Sequence, residues 1–440
     1  MATNSSRLPG SLDPLLLSND RPSPGQASSI SKVIETLTHD LSNIDASIAC
    51  LKTEVARLET TKSTLQHDVE RYSSLLSSVR QLPPEIIRVV MLACFDEDDF
   101  DQDQVKNLSL VSRQWYQVAV STPRLWSSYT IDTEGLDKES VSSVIHKAST
   151  HLSKAASLPL HLRYTVDCGG PDSTHALDYI HSLSPQLRVL HIDLISETQD
   201  DVAGEFNATL TRLFRPPTIW PVLHTLSLIM HTDQGYFDDS LTGIFPLPTQ
   251  SFPALKVAEL DLVGESLSPR AVRELQSWGM PWAQLSRLFI GPCAVCSPSD
   301  VVGILRESTS LEECYIDVPG YNDSYWGVYS TDAHITLPKV TKFTLKAEDE
   351  WMAAGILNHL TLPSLRRYHH DLYMGYDFEV PNPEHPDPGE SPAWQAANAI
   401  LHPIIELFTR SGCSATLETL DLNLASGLKA LARLWSEKPE

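Results

Sequence analysis

The stretch FPALKVAELDL, residues 252–262, places Leu255, Ala258, Leu260 and Leu262 as apolar positions, and polar residues separate the last three. Strict alternation from 258 to 262 is the period of a strand with one buried face. The leading Leu255, set off by two residues, anchors the entry of that strand. The same L-x-x-L-x-L spacing returns in SPQLRVLHIDL (184–194), WPVLHTLSLIM (220–230), WAQLSRLFIG (282–291), STSLEECYIDV (308–318), LPKVTKFTLKA (337–347), LPSLRRYHHDL (362–372) and SATLETLDLNL (414–424). The first anchors, from Leu187 to Leu417, are separated by 36, 32, 30, 26, 29, 25 and 52 residues, room for one strand and one return segment per unit. LPLHLRYTV (158–166) reads as an additional strand before them.

Between these strands DVAGEFNATLTRLF, SPRAVRELQSWG and SPSDVVGILRES begin with capping-type residues and carry an apolar stripe, the marks of short helices. The last gap holds a proline-rich acidic loop, EVPNPEHPDPGESP (379–392), followed by a helical stretch, AWQAANAILHPIIELFTRSG. The unit resembles the leucine-rich repeat, although several units here run long for that family. The resemblance implies an α/β solenoid over 128–440, in which stacked units share one continuous core. A non-solenoid α/β domain is the alternative.

In such a stack the residues flanking the last anchor face away from the core. One column then contains Glu259, Phe289 and Tyr315, and the next contains Asp193, Asp261, Asp317 and Asp371. The expectation is a substrate-binding face built from Glu259, Asp261, Phe289, Tyr315, Asp317 and Asp371, with the acids receiving Lys or Arg groups and the aromatics acting as anchors.

Upstream, residues 82–126 read LPPEIIRVVMLACF, an acidic gap, then VKNLSLVSRQWYQVAVSTPRLW. Pro83 and Pro84 break any preceding helix and can open the next, with Glu85 in its first turn. Asp96–Asp103 reads as a solvated loop, and Leu108, Val111, Trp115 and Val118 as a second helical stripe. Leu-Pro-x-Glu, Val-Ser-Arg-x-Trp and a closing Leu-Trp, in this order, resemble the F-box. That resemblance implies docking, over 82–127, onto the SKP-family adaptor of a cullin–RING ubiquitin ligase. It implies contact through Leu82, Pro83, Ile86, Ile87 and Val90, with Leu110 and Trp115 in or beside the interface.

Residues 28–81 carry a heptad seam: Ile34, Leu41, Ile48, Val55, Lys62, Val69 and Leu76 at a, and Leu37, Ile44, Leu51, Leu58, Leu65, Tyr72 and Val79 at d. A period of 3.5 held this long indicates a coiled coil. In a parallel homodimer Asp40 would meet Asp45 and Glu54 would meet Glu59, so antiparallel or heteromeric pairing, or packing on the body, competes with it. Residues 1–27, rich in Ser, Pro and Gly, read as disordered.

The 440 residues carry 33 Lys plus Arg against 56 Asp plus Glu, a net charge of −23, which argues against a general nucleic-acid or anionic-membrane binder. Seven scattered cysteines and the lack of a leader or a membrane-length apolar run point to the cytosol or nucleus. Cys293-Ala-Val-Cys296 is a lone CxxC that reads as ordinary thiols rather than zinc ligands, and no phosphate loop, zincin or nucleophile-elbow motif occurs. No metal, cofactor or catalysis is expected. The whole layout resembles fungal-type F-box proteins, which implies a non-catalytic substrate-recognition subunit. A coiled-coil and repeat scaffold that acts without ubiquitylation is the alternative.

Overall fold

The computed structural model describes residues 20–94, 102–168, 173–196, 202–215, 218–232, 251–263, 279–291, 298–318, 334–347, 350–372 and 392–423. The chain divides into two compact units, Met1–Pro83 and Pro84–Glu440.

The first unit is dominated by one helix, α1 (Pro24–Leu75). It starts earlier than its heptads suggest. Ser23 accepts from the Gln26 amide while the Gln26 side chain accepts from the Ser23 amide, and Pro24 occupies a first-turn position where no amide is needed. Residues 24–27 are therefore helical rather than disordered, and residues 1–19 lie outside the described ones. α1 has no buried residue, and its seam is bare, with Ile34 58%, Leu51 65% and Leu58 52% exposed. It ends at Leu75, and a 3-10 turn follows at Ser78–Gln81, so Leu76 and Val79 fall beyond the helix.

The second unit opens with three short helices: α2 (Pro84–Ala93), α3 (Gln102–Ser109) and α4 (Arg113–Val120). The second stripe, expected as one helix, is broken in two. Ser112 has extended backbone, and its hydroxyl accepts from the Trp115 amide at 3.3 Å, which starts α4 afresh. Asp103, expected in a loop, sits in the first turn of α3, where an anion suits the helix dipole; residues 95–101 lie outside the described ones. Ile87, Met91, Val105, Trp115 and Val118 form the buried centre of this module. A 3-10 turn, Pro123–Trp126, closes it, with Leu125 and Trp126 buried and the Trp126 Nε1 donating to the Ala119 carbonyl at 2.7 Å.

The rest is a parallel sheet of ten strands with helices between them. The strands are β1 (Ser128–Asp132), β2 (Leu160–Asp167), β3 (Leu187–Ser196), β4 (Thr225–Thr232), β5 (Val257–Val263), β6 (Arg287–Ile290) and β7 (Glu313–Val318). After the short β8 (Ile335–Thr336) come β9 (Lys342–Ala347), β10 (Leu360–Thr361), β11 (Arg367–Leu372) and β12 (Thr419–Asn423). The sheet order is β1-β2-β3-β4-β5-β6-β7-β9-β11-β12, while β8 and β10 pair separately. Every strand thus lies beside its neighbour in sequence among the ten.

Parallel pairing requires each connection to cross back, and among the described residues helices lie in six of these connections. They are α5 (Lys138–Leu152), α6 (Ser173–Ser182), α7 (Val202–Leu213), α8 (Pro298–Glu307), α9 (Glu350–Leu357) and α10 (Pro392–Ser411). The inward rows of the strands are apolar and buried: Leu190, Leu226, Ala258, Leu288, Cys314, Phe343 and Tyr368 in one, Ile192, Leu228, Leu260, Ile290, Ile316 and Leu345 in the next. The anchors Leu187, Leu223, Leu255, Leu285, Leu311, Val340 and Leu365 are buried as well. His370 continues the second row in place of an aliphatic residue and is fully buried. Among the described residues no helix is long and apolar enough to cross a membrane.

Candidate functional site

The sheet registers align the outward columns as the repeat spacing requires. Ser227 pairs with Glu259, Glu259 with Phe289, Phe289 with Tyr315, Tyr315 with Thr344 and Thr344 with His369. One step further along each strand, Asp193 pairs with Ile229, Ile229 with Asp261, Asp317 with Lys346 and Lys346 with Asp371. Glu259, Asp261, Phe289, Tyr315, Asp317 and Asp371 therefore share one face.

At its middle the Phe289 and Tyr315 rings stack with centroids 4.3 Å apart and planes 9° from parallel. The Tyr315 hydroxyl donates to Asp317 Oδ2 at 3.1 Å, and Lys346 Nζ lies 3.8 Å from the same oxygen. Gly291 stands between Asp261 and Asp317 on the intervening strand position, and the absence of a Cβ is used: a Cβ there would come within 2.3 Å of Asp261 Oδ1. The Asp261 carboxyl leans over that glycine. Burial raises its pKa above the usual carboxylate range, with Asp317 adding to the rise and His231 opposing it. Among the described residues Asp261 Oδ1 accepts no hydrogen bond.

The other three acids of the row are held by the protein itself. Asp193 takes Arg163 Nε at 3.0 Å, Asp317 takes Lys346, and Asp371 accepts from Asn423 Nδ2 at 2.9 Å. Glu259 faces His191 at 4.0 Å. The row is thus less available to an external cation than its sequence suggests.

Sequence reasoning passed over a second row at the starts of the same strands. Arg188, His224 and Lys256 succeed one another across the sheet, each backbone amide bonded to the carbonyl before it, and Arg287 follows on β6. The signal was present as the first variable position of the first three L-x-x-L-x-L units, whereas Arg287 stands at the second variable position of the fourth. His224 has its pKa lowered by burial and then by the charges of Arg188, Lys256 and Arg287.

In the helical module, Ile86, Val89 and Val90 are 46%, 62% and 36% exposed on one side of α2, and Leu110 after α3 is 73% exposed. Ile87 and Trp115, expected at a partner surface, are turned into the module's own core at 0% and 6%. A helical stripe identifies apolar positions without saying which face its own domain covers. Leu82 is half-buried and Pro83 exposed in the first unit.

The lone CxxC lies outside the described residues. The next cysteine and histidine along the chain differ in exposure, Cys314 being buried and His334 exposed. Among the described residues no group of three or more His, Cys, Asp or Glu could hold a metal ion. No family model matches the chain, and no curated protein is significantly similar to it.

Proposed function

We propose that the chain is a substrate-recognition subunit of an SCF-type cullin–RING ubiquitin ligase. Its F-box-like module would hold the SKP-family adaptor, and through it the cullin, while the face of a leucine-rich-repeat-like solenoid holds a protein substrate. The chemistry of ubiquitin transfer belongs to other subunits, so the contribution of this chain is proximity.

The observation that carries this reading is the exposed apolar side of α2. The module buries Ile87, Met91, Trp115 and Trp126, yet leaves Ile86, Val89, Val90 and Leu110 facing outward. Full burial of one such side chain is worth about 1.5–3 kcal/mol, so a cluster left bare suits a surface completed by a partner. The solenoid reading is supported by the sequential parallel strands, the buried anchors from Leu187 to Leu365 and the one-sided placement of polar rows.

The test is co-expression with the SKP-family adaptor, comparing the native chain with an Ile86→Asp/Val90→Asp variant. Both residues are exposed in the isolated chain, so the variant keeps its far-ultraviolet circular dichroism and its thermal midpoint. The reading expects a stable native complex that the variant loses by at least tenfold in affinity. No complex with the native chain, or an undiminished one with the variant, overturns it.

The bare seam of α1 favours a second reading, a scaffold that assembles through its helix without ubiquitylation. Sedimentation of the full chain tests that reading: self-association abolished by Leu51→Asp/Leu58→Asp supports it, and a native monomer rules out self-assembly through this seam.

A further inference from the structure

We infer that the groove over the strand starts of β1–β6 is a binding site for an acidic segment of a partner protein. The groove measures about 880 Å3, far more than one small anion fills. Arg124, Arg163, Arg188 and Arg287 line it against two acids, Asp193 and Glu259, in a chain whose acids otherwise outnumber its bases. One rim comes from the helical module through Leu92 and Leu125, and the floor comes from the sheet.

The cations are ordered by the fold. Parallel strands place all their starts at one edge, so the first variable position of each repeat falls on a common line. Arg188 lies at the start of β3, while His224 and Lys256 immediately precede β4 and β5; strands lie about 4.8 Å apart, so Arg188 and Lys256, which is not itself in the groove lining, are separated by roughly 10 Å along the backbone. An extended peptide covers that distance in about three residues. Carboxylates spaced two or three apart in an extended segment therefore match the line.

The Arg188 guanidinium makes no ion pair or hydrogen bond among the described residues. It lies close enough to His224 to depress the imidazole pKa, as do Lys256 and Arg287. The other cations are held in place. Arg163 is fixed by Asp193 at 3.0 Å, Arg287 by Glu313 at 3.3 Å, and Lys256 Nζ donates to the Gln284 carbonyl at 3.3 Å. Positive charge without its own counterion, gathered along one groove, attracts an external anion. Asp193 and Glu259 within the groove favour a segment with spaced acids over the continuous phosphates of a nucleic acid.

The inference names the partner chemistry for the substrate face of the proposed function, and it rests on that reading only where it makes the bound segment a substrate. Binding itself needs neither adaptor nor ubiquitin, so the two can fail separately. The experiment uses the full chain and a fluorescein-labelled twelve-residue peptide with Glu at every third position, its Gln counterpart, and a single-stranded oligonucleotide of equal charge. Fluorescence anisotropy reads affinity, and the His224 proton resonance reads its titration. The expected result is binding of the Glu peptide only, at least tenfold weaker in Arg188→Glu, with the His224 pKa moved upward by the bound anion. Arg188→Glu removes no internal contact, so its thermal midpoint stays that of the native chain. Absence of Glu-peptide binding, equal binding by the Gln peptide, indifference to Arg188→Glu, or tighter binding of the oligonucleotide each overturns the proposal.

Discussion

Acid should loosen this protein through a histidine placed where every neighbouring strand has an aliphatic residue. His370 is fully buried in the row of Leu260, Ile290, Ile316 and Leu345, its ring stacked with Tyr368, whose hydroxyl lies 3.2 Å from His370 Nδ1. Among the described residues Nε2 has no partner. Burial, only partly offset by Asp371 and assisted by His369, pushes the imidazole down from 6.5 to about 4. The folded pKa is depressed, so the unfolded chain binds the proton first. The stability is complete above the unfolded value and is lost as pH falls toward the folded one. At about pH 5 protonation favours the unfolded imidazole by roughly 30-fold, or about 2 kcal/mol. His151, in edge contact with Trp126 and also pushed to about 4 by burial and Lys154, adds a loss of similar size. Replacing His370 alone would strand the buried Tyr368 hydroxyl, at about 1–3 kcal/mol. The informative variant is therefore Tyr368→Phe/His370→Leu, which makes the site apolar throughout. Urea unfolding followed by tryptophan fluorescence at pH 7.5 and pH 5 should show the variant losing about 2 kcal/mol less than the native chain. An identical pH dependence in both proteins would refute the assignment of acid lability to this buried ring.

Thiol reactivity should follow burial. Cys50 and Cys94 are exposed and label promptly under native conditions, whereas Cys314 is buried with its thiol pKa raised and labels only on unfolding; peptide mapping by mass spectrometry decides. Gly291→Ala should push the Asp261 carboxyl off the glycine and into solvent, costing about 1–3 kcal/mol through overpacking. It should also return the Asp261 pKa toward the ordinary carboxylate range, and a carboxyl titration unchanged by the substitution would contradict the role given to the glycine.

The strands were legible because their information is local. In VAELDL the alternation of Ala258, Leu260 and Leu262 fixes both strand and face, and the recurring anchor fixes the order of units. The outward columns follow once the strands are parallel and in register. The helix Lys138–Leu152 escaped notice because Val141, Ile145, Ala148 and Leu152 are diluted by polar residues and only its burial against β1 reveals the stripe. The capping by Ser112 shows the same limit: a hydroxyl that starts a new helix looks, in sequence, like any serine inside a longer one. Charge pairing was least legible. Lys346 neutralises Asp317 across two strands, and Arg163 reaches Asp193 from thirty positions away, so the availability of each acid depends on contacts that no short window contains. The basic line at the strand starts went unread for a related reason, since single cations spread over units gain meaning only when stacked.

The sheet is finished differently at its two sides. β1 is covered by α3, α5 and the closing turn of the helical module, whereas β12 among the described residues has a single neighbouring strand and Leu420 half-exposed. Among the described residues the edge of β12 is open, and an open strand edge is a template for another copy. Glu418 and Asp421 stand on this one but are engaged by Arg366 and His369, so what holds two such edges apart is the net charge of −23 of the whole molecule. That protection is ionic and not steric, and it shrinks with the screening length, from about 10 Å at 0.1 M salt to about 3 Å at 1 M. Colloidal stability of this protein is thus a function of ionic strength, and concentrated salt is the condition under which its sheets would begin to join end to end.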